Sequence, residues 1–317
     1  DEASARGWYV LAPIATSNKH FLSEEAQLNT AFVLDWITNN PAYTIDLTRV
    51  YGVGFSMGGG MVMSYAARHV DPSRPMYAAV VNHTGDVSLN HVYDNESAQG
   101  QFVLDFWYGD GTPLSADPLQ MQRHSMIDYD PGLGQFLTDD DMVRNITYLP
   151  LKMVRASDDL IDYLEVQTDQ LDFHLQTKFG YVPGTPQYEY DIIPYNGHDW
   201  SMLDEGQALD FLAQHTLQLP TSGQVLADRN TKWFYFTTTL GDVDQNAEFT
   251  WSVDALGNTM SLTETTNLAA LTVDTQTAGL DSMTPLSLTV GSMPGEMKTD
   301  IFLRNYDVVT PTQVLLD

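Results

Sequence analysis

The chain has 317 residues, enough for one large domain or two ordinary ones, and 43% of it is hydrophobic, as in a globular protein. With 14 basic against 42 acidic residues its formal charge is −28, which leaves no basic footprint for a nucleic-acid partner. It has no cysteine, which excludes disulfides, thiolate nucleophiles and zinc–thiolate sites, and no apolar stretch is long enough to cross a bilayer. The acidity is spread along the chain and reads as the solubility of a secreted or cell-surface protein, or of the cytoplasm of a salt-adapted organism.

In chain order, residues 8–13 (Trp8-Tyr9-Val10-Leu11-Ala12-Pro13) read as a buried strand. Ser23 is the N-cap of a helix whose first turn carries Glu24 and Glu25. Leu28, Phe32 and Trp36 recur at helical spacing until Asn40 and Pro41 end it. A strand before Ser56 is followed by a helix to about His69. Residues 77–81 and 149–154 read as strands, 162–179 as a helix closed by Gly180, 187–193 as a strand and 205–216 as a helix. Alternating strands and helices imply right-handed crossovers and a parallel sheet covered on both faces. Past 219–223 helical periodicity stops. Short runs at 232–237, 248–253, 259–263, 270–273, 286–290 and 301–304, with turns at 254–258 and 292–295, suggest a small β-sandwich. The expected class is α/β: a doubly wound, mostly parallel sheet over residues 1–218, then an all-β sandwich over 219–317.

The strand before Ser56 carries the chemistry. Gly54-Phe55-Ser56-Met57-Gly58 stands between a β-branched, aromatic run and a helix-forming apolar run. A strand that turns sharply into a helix leaves the serine hydroxyl exposed at the bend. Glycines at 54 and 58 are expected because the strained turn leaves no room for Cβ atoms on either side of the serine. Free backbone N–H groups at the helix N-terminus favour negative charge there.

A serine hydroxyl needs a base within hydrogen-bond reach and an acid to hold that base. After the strand at 149–154 comes Ser157-Asp158-Asp159, in which the acid falls on Asp159 or on its neighbour Asp158; a double Asp there also suits helix capping. After the last strand of the first region, Gly197-His198 places a histidine on a loop in the right chain order. His20, His83, His91 and His124 are loop alternatives, whereas His69, His174 and His215 read as ordinary helix residues.

These three segments, Gly54–Gly59, 157–159 and 196–200, resemble the α/β-hydrolase superfamily, in its feruloyl and acetyl esterase, polyhydroxybutyrate-depolymerase and prolyl-oligopeptidase-like branches. The resemblance covers residues 1–217, and Arg155-Ala156 stands where the family pattern has His-Gly. It implies a nucleophile at Ser56, a base at His198, an acid at Asp159, and an oxyanion hole to which the Met57 N–H contributes. The implied activity is cleavage of a carboxylic ester, small or polymeric, with no cofactor and no metal. A prolyl-oligopeptidase-like peptidase is the rival within the class, and a non-catalytic assembly or adhesion protein on a hydrolase scaffold is the rival outside it. The family's first three strands, and the loop that gives the second oxyanion donor, have no counterpart in this chain. Residue 1 is therefore not the expected start of the protein: the absent part either precedes it in the same protein or is a separate N-terminal fragment that completes the sheet as a partner.

An insertion at about 86–148 has the place of a cap, with Phe102, Phe106, Trp107, Tyr108, Tyr129 and Phe136 as pocket lining or a satellite core. Thr138 to Asp141 reads as a helix start. Asp242 to Glu248 has the opening spacing of a calcium loop but lacks its glycine and final acid, so an acidic hairpin is expected. Trp233, Tyr235 and Trp251 suit either a polymer-binding face or a sandwich core.

Overall fold

The computed structural model describes residues 2–13, 22–109, 111–137, 141–291, 299–306 and 313–316. His20, residues 138–140 and the turn at 292–295 lie outside the described residues. The chain packs as two compact units, Asp1–Arg68 with Pro75–Gln218, and His69–Arg74 with Leu219–Asp317.

In the first unit a short helix α1 (Glu2–Ala5) and the helix α2 (Glu24–Asn39) precede β1 (Tyr51–Phe55), α3 (Met57–Arg68) and β2 (Ala79–His83). Then come α4 (Leu89–Asn95), α5 (Ala98–Tyr108), α6 (Pro118–Arg123) and a two-residue hairpin of β3 (Tyr129–Asp130) and β4 (Gln135–Phe136). β5 (Leu151–Asp158), α7 (Asp162–Phe179), β6 (Tyr188–Asn196) and α8 (Glu205–Ala213) complete it. β1, β2, β5 and β6 form one parallel sheet in that order. β2 is buried along its whole length, which its continuous Ala-Val-Val run allows. Ala208, Phe211 and Leu212 of α8 pack with Ala79, Val81 and Val154 of the sheet. Ser23 caps α2 through the Ala26 N–H, and Gly180 closes α7 in a left-handed conformation with φ 71°.

One expectation is corrected here. Residues 8–13 form no ladder, and Tyr9 and Val10 are 60% and 74% exposed. Apolar content alone suggested a strand; a strand also needs a neighbour, and the outer edge of β1 has none among the described residues. Trp8 instead stacks on Tyr51. On α2, Leu28, Phe32 and Trp36 form the exposed face, while Gln27, Thr30, Ala31 and Leu34 are buried.

The insertion builds a satellite core of Leu22, Leu89, Val92, Leu104, Tyr108, Leu114 and Met121. Phe102 and Phe106 point to solvent, whereas Tyr129 and Phe136 pack around His91.

Among its described residues the second unit has nine strands: β7 (Ser222–Ala227), β8 (Lys232–Trp233), β9 (Phe236–Leu240), β10 (Ala247–Asp254), β11 (Thr259–Thr266), β12 (Leu268–Asp274), β13 (Ser287–Val290), β14 (Asp300–Arg304) and β15 (Gln313–Leu316). They form two sheets, ordered β15-β13-β11-β10-β7 and β14-β12-β9-β8. Phe236 in one touches Phe249 and Trp251 in the other. Trp233, Tyr235 and Trp251 are buried, so they belong to the core and offer no polymer-binding face. Asp242 accepts from the Asp244 N–H within its own loop, and no cluster of metal-ligating residues occurs among the described residues.

Candidate active site

β1 ends at Phe55 and α3 begins at Met57, so Ser56 alone makes the turn. Its φ is 53°, in the left-handed region that a non-glycine residue occupies only under constraint. The constraint is visible. The Ser56 N–H donates to the His83 carbonyl at 2.9 Å, and its own carbonyl accepts from Gly59 and Gly60 at 2.8 and 3.1 Å.

The glycines divide differently from expectation. A Cβ on Gly54 would overlap the Gly58 carbonyl, which makes that glycine obligatory. A Cβ on Gly58 would meet nothing within 4 Å, because this position faces open space. The crowded positions lie one turn on. A Cβ on Gly59 would overlap the Asn82 side chain and lie 2.6 Å from the Gly85 Cα, and one on Gly60 would overlap the Asp86 carbonyl. α3 thus lies hard against the loop after β2, and this close approach fixes the elbow.

His198 arrives from the end of β6 through Gly197, whose φ of 154° and bond to the Asp158 carbonyl at 3.1 Å turn the chain toward Ser56. His198 Nε2 is 2.9 Å from Ser56 Oγ. His198 Nδ1 is 2.9 Å from Asp159 Oδ1 and 3.0 Å from Asp159 Oδ2. The Asp159 side chain is wholly buried, and its Oδ1 also accepts from the Ile161 N–H at 2.8 Å. Ser56, His198 and Asp159 are therefore brought into one hydrogen-bonded line. Asp158 is not part of it: this exposed residue accepts a bond from the Asn196 amide. Met57 stands at the first position of α3, where a backbone N–H has no acceptor within its own helix, and is 44% exposed.

Of the histidines expected in loops, His83 instead ends β2, His91 lies within α4 and His124 directly follows α6. His91 sits in the aromatic cluster with Tyr129 and Phe136, and His124 packs on Tyr108. His174 pairs with buried Asp141, which also faces Lys178.

Four further residues stand near this line: Arg155, Glu165, His83 and Asp86. Arg155, where the family pattern has His, binds Asp169 and Tyr190, each at 2.8 Å through Nε, and lies 4.0 Å from Glu165. Glu165 in turn accepts the Asp159 backbone N–H. This links the acid's loop to β5, β6 and α7. His83 is fully buried; burial first, and the nearby His198 second, push it down to about 4, so it is neutral at neutral pH. Asp86 is pushed up to about 7 by burial, against which the single N–H of Ser88 counts for less.

No family model and no curated protein sequence matches this chain. Among solved structures it is similar to the carboxylesterase Cest-2923 of Lactobacillus plantarum WCFS1, at 14% identity over 61% of this chain and 63% of that one, with a TM-score of 0.37. It is also similar to FphF, a fluorophosphonate-binding serine hydrolase of Staphylococcus aureus, at 14% identity over 62% and 67% of the two chains, with a TM-score of 0.41. A third is a phosphonate-inhibited esterase B from Lactobacillus rhamnosis, at 15% identity over 65% and 62%, with a TM-score of 0.41. These similar structures have the α/β-hydrolase fold. The chain spans about three fifths to two thirds of the length of these enzymes.

Proposed function

We propose that this chain is a serine hydrolase that cleaves a carboxylic ester through an acyl-enzyme on Ser56, with the reaction carried by residues 1–218. The observation behind the reading is the continuous line from Asp159 through His198 to Ser56. With Asp159 accepting from Nδ1–H, His198 holds its lone pair on Nε2, facing the serine. Ser56 Oγ attacks the acyl carbon while Nε2 takes its proton. The carbonyl oxygen becomes an oxyanion at the N-terminus of α3, beside the Met57 N–H. Collapse of the tetrahedral intermediate breaks the bond to the alcohol oxygen, which receives the proton from Nε2. Water then repeats the sequence on the acyl-enzyme, releasing the acid and restoring Ser56. The oxyanion hole's second donor is assigned in this reading to a segment outside the described residues, seated along the edge of β1 that has no neighbour among them. The unpaired edge and the exposed Tyr9, Val10, Phe32 and Trp36 support that assignment.

Residues 219–317 are read as an appended β-sandwich. A cysteine-free chain of charge −28 suits export or a salt-rich cytoplasm, and no helix among the described residues is long and apolar enough to cross a membrane. Parallel turnover of p-nitrophenyl acetate and an aminoacyl p-nitroanilide tests the reaction class. Ester cleavage that disappears in Ser56→Ala is the expected result; preferential amide cleavage would make the protein a peptidase, and neither activity would leave a non-catalytic scaffold.

A further inference from the structure

The nucleophile's immediate neighbour in the chain faces the base. Phe55 is the last residue of β1, and its ring lies 4.6 Å from the His198 ring, centroid to centroid, at an interplanar angle of 33°. The ring of His83, the residue that pairs with Phe55 across the parallel ladder, lies 4.7 Å from the same Phe55 ring. His83 is wholly buried, and neither of its ring nitrogens has a hydrogen-bond partner. Trp200 closes the group at 5.8 Å from His83 and 6.4 Å from Phe55, and the Glu205 carboxylate accepts from its indole N–H. The titratable groups that act electrostatically on His83 are His198, Asp159 and Asp199.

We propose that Phe55 is a positioning residue for His198: its ring, in contact with His83, is the platform that fixes the imidazole plane between Asp159 and Ser56. The proposal rests on the hydrolase reading for its kinetic consequence, but the contact itself does not.

Hydrogen bonds at Nδ1 and Nε2 fix the two ends of the imidazole but leave it free to rock about the line joining them. A flat ring packed at a shallow angle against its face removes that freedom. An aromatic face also attracts the positive charge that His198 acquires when it takes the serine proton, an attraction an aliphatic side chain of similar bulk does not supply. His83 suits the supporting role because it is uncharged: a cation beside Phe55 would oppose the charge forming on His198. The sequence explains why one residue does this. Phe55 directly precedes the turn, so its side chain is placed by the same β1 backbone that places Ser56.

The test compares Phe55→Leu and Phe55→Tyr with the parent protein by two readouts. The first is p-nitrophenyl acetate hydrolysis. Phe55→Leu is expected to lower kcat about three- to tenfold with KM little changed, the size of one aromatic contact, and Phe55→Tyr to restore it. The second is the low-field proton resonance of His198 Nδ1–H, assigned by its absence from His198→Gln. It is expected to exchange with water at least about twofold faster in Phe55→Leu and at the parent's rate in Phe55→Tyr. If the parent cleaves no ester but the resonance behaves in this way, the positioning role stands and the esterase reading falls. Four results would overturn the proposal: a Phe55→Leu resonance that exchanges like the parent's, a kcat within twofold of the parent's, an equal loss in Phe55→Tyr, or no such resonance in the parent.

Discussion

Replacing Asp159 with asparagine should remove most of the activity while leaving the fold intact. The size of the loss follows from the contacts. The carboxylate is wholly buried, and His198 Nδ1 is 2.9 and 3.0 Å from its two oxygens. When His198 is protonated, a charge pair about 4 Å apart at an effective dielectric constant near 20 contributes about 4 kcal/mol, or about 10³ in rate. Asparagine abolishes that term. The amide also has a preferred orientation, because the Ile161 N–H needs an acceptor at Oδ1. With the amide oxygen held there, Nδ1 meets that oxygen at 2.9 Å and the NH₂ group at 3.0 Å, and donation from the NH₂ group favours the tautomer protonated on Nε2, which cannot take the serine proton. The two effects together give an expected loss of about 10³- to 10⁴-fold in kcat. The assay is steady-state hydrolysis of p-nitrophenyl acetate at pH 8, with thermal unfolding as the check on folding. Asp158→Asn is the control: its residue is exposed and bonded to Asn196, so it should remain within about threefold of the parent. An Asp159→Asn enzyme within tenfold of the parent, or an equal loss in Asp158→Asn, would refute the assignment of the acid.

The elbow's glycines should separate by position in urea denaturation. Gly58→Ala adds a Cβ in open space on a helix and should stabilise by about 0.5–1 kcal/mol. Gly59→Ala drives its Cβ into Asn82 and Gly85 and should destabilise by about 1–3 kcal/mol; equal effects at both positions would contradict the packing described for α3. Asp86 makes stability depend on pH. Its folded value of about 7 lies above the ordinary 3.8, so between these values the folded carboxyl keeps a proton that the unfolded one releases. Stability therefore falls as pH rises from about 4 to 7, by at most about 4 kcal/mol from this group. Relative to the parent, Asp86→Asn should be more stabilising at pH 8 than at pH 5, and a gain that does not change with pH would sink this account of Asp86.

Much of the site was legible because its parts occupy predictable places. The elbow announces itself through the pattern around Ser56, and the proposed base and acid follow on loops after later strands. The choice between Asp158 and Asp159 was not legible, because it turns on one residue of register. The β5–β6 ladder slips between Ala156 and Asp158, which leaves Asp158 paired with Asn196 and Asp159 as the residue that reaches His198. The link from Arg155 past Glu165 to Asp159 was invisible for another reason. Its members lie on a strand, a helix and a loop, joined by contacts that no spacing rule encodes. Residues 8–13 and the stripe of Leu28, Phe32 and Trp36 show the limit of apolar pattern. It marks where greasy side chains lie, not whether a neighbour covers them. β7 was hidden by the Pro, Ser and Gly content around 220–223, which reads as a linker.

The central claim is that Ser56 is a nucleophile activated by His198. It is tested most directly by exposing the intact protein, Ser56→Ala and His198→Gln to a fluorophosphonate probe and mapping the adduct by mass spectrometry. The account expects a single adduct on the peptide containing Ser56, none in Ser56→Ala, and labelling slowed at least about a hundredfold in His198→Gln. An unlabelled parent, or an adduct that survives in Ser56→Ala, would contradict it.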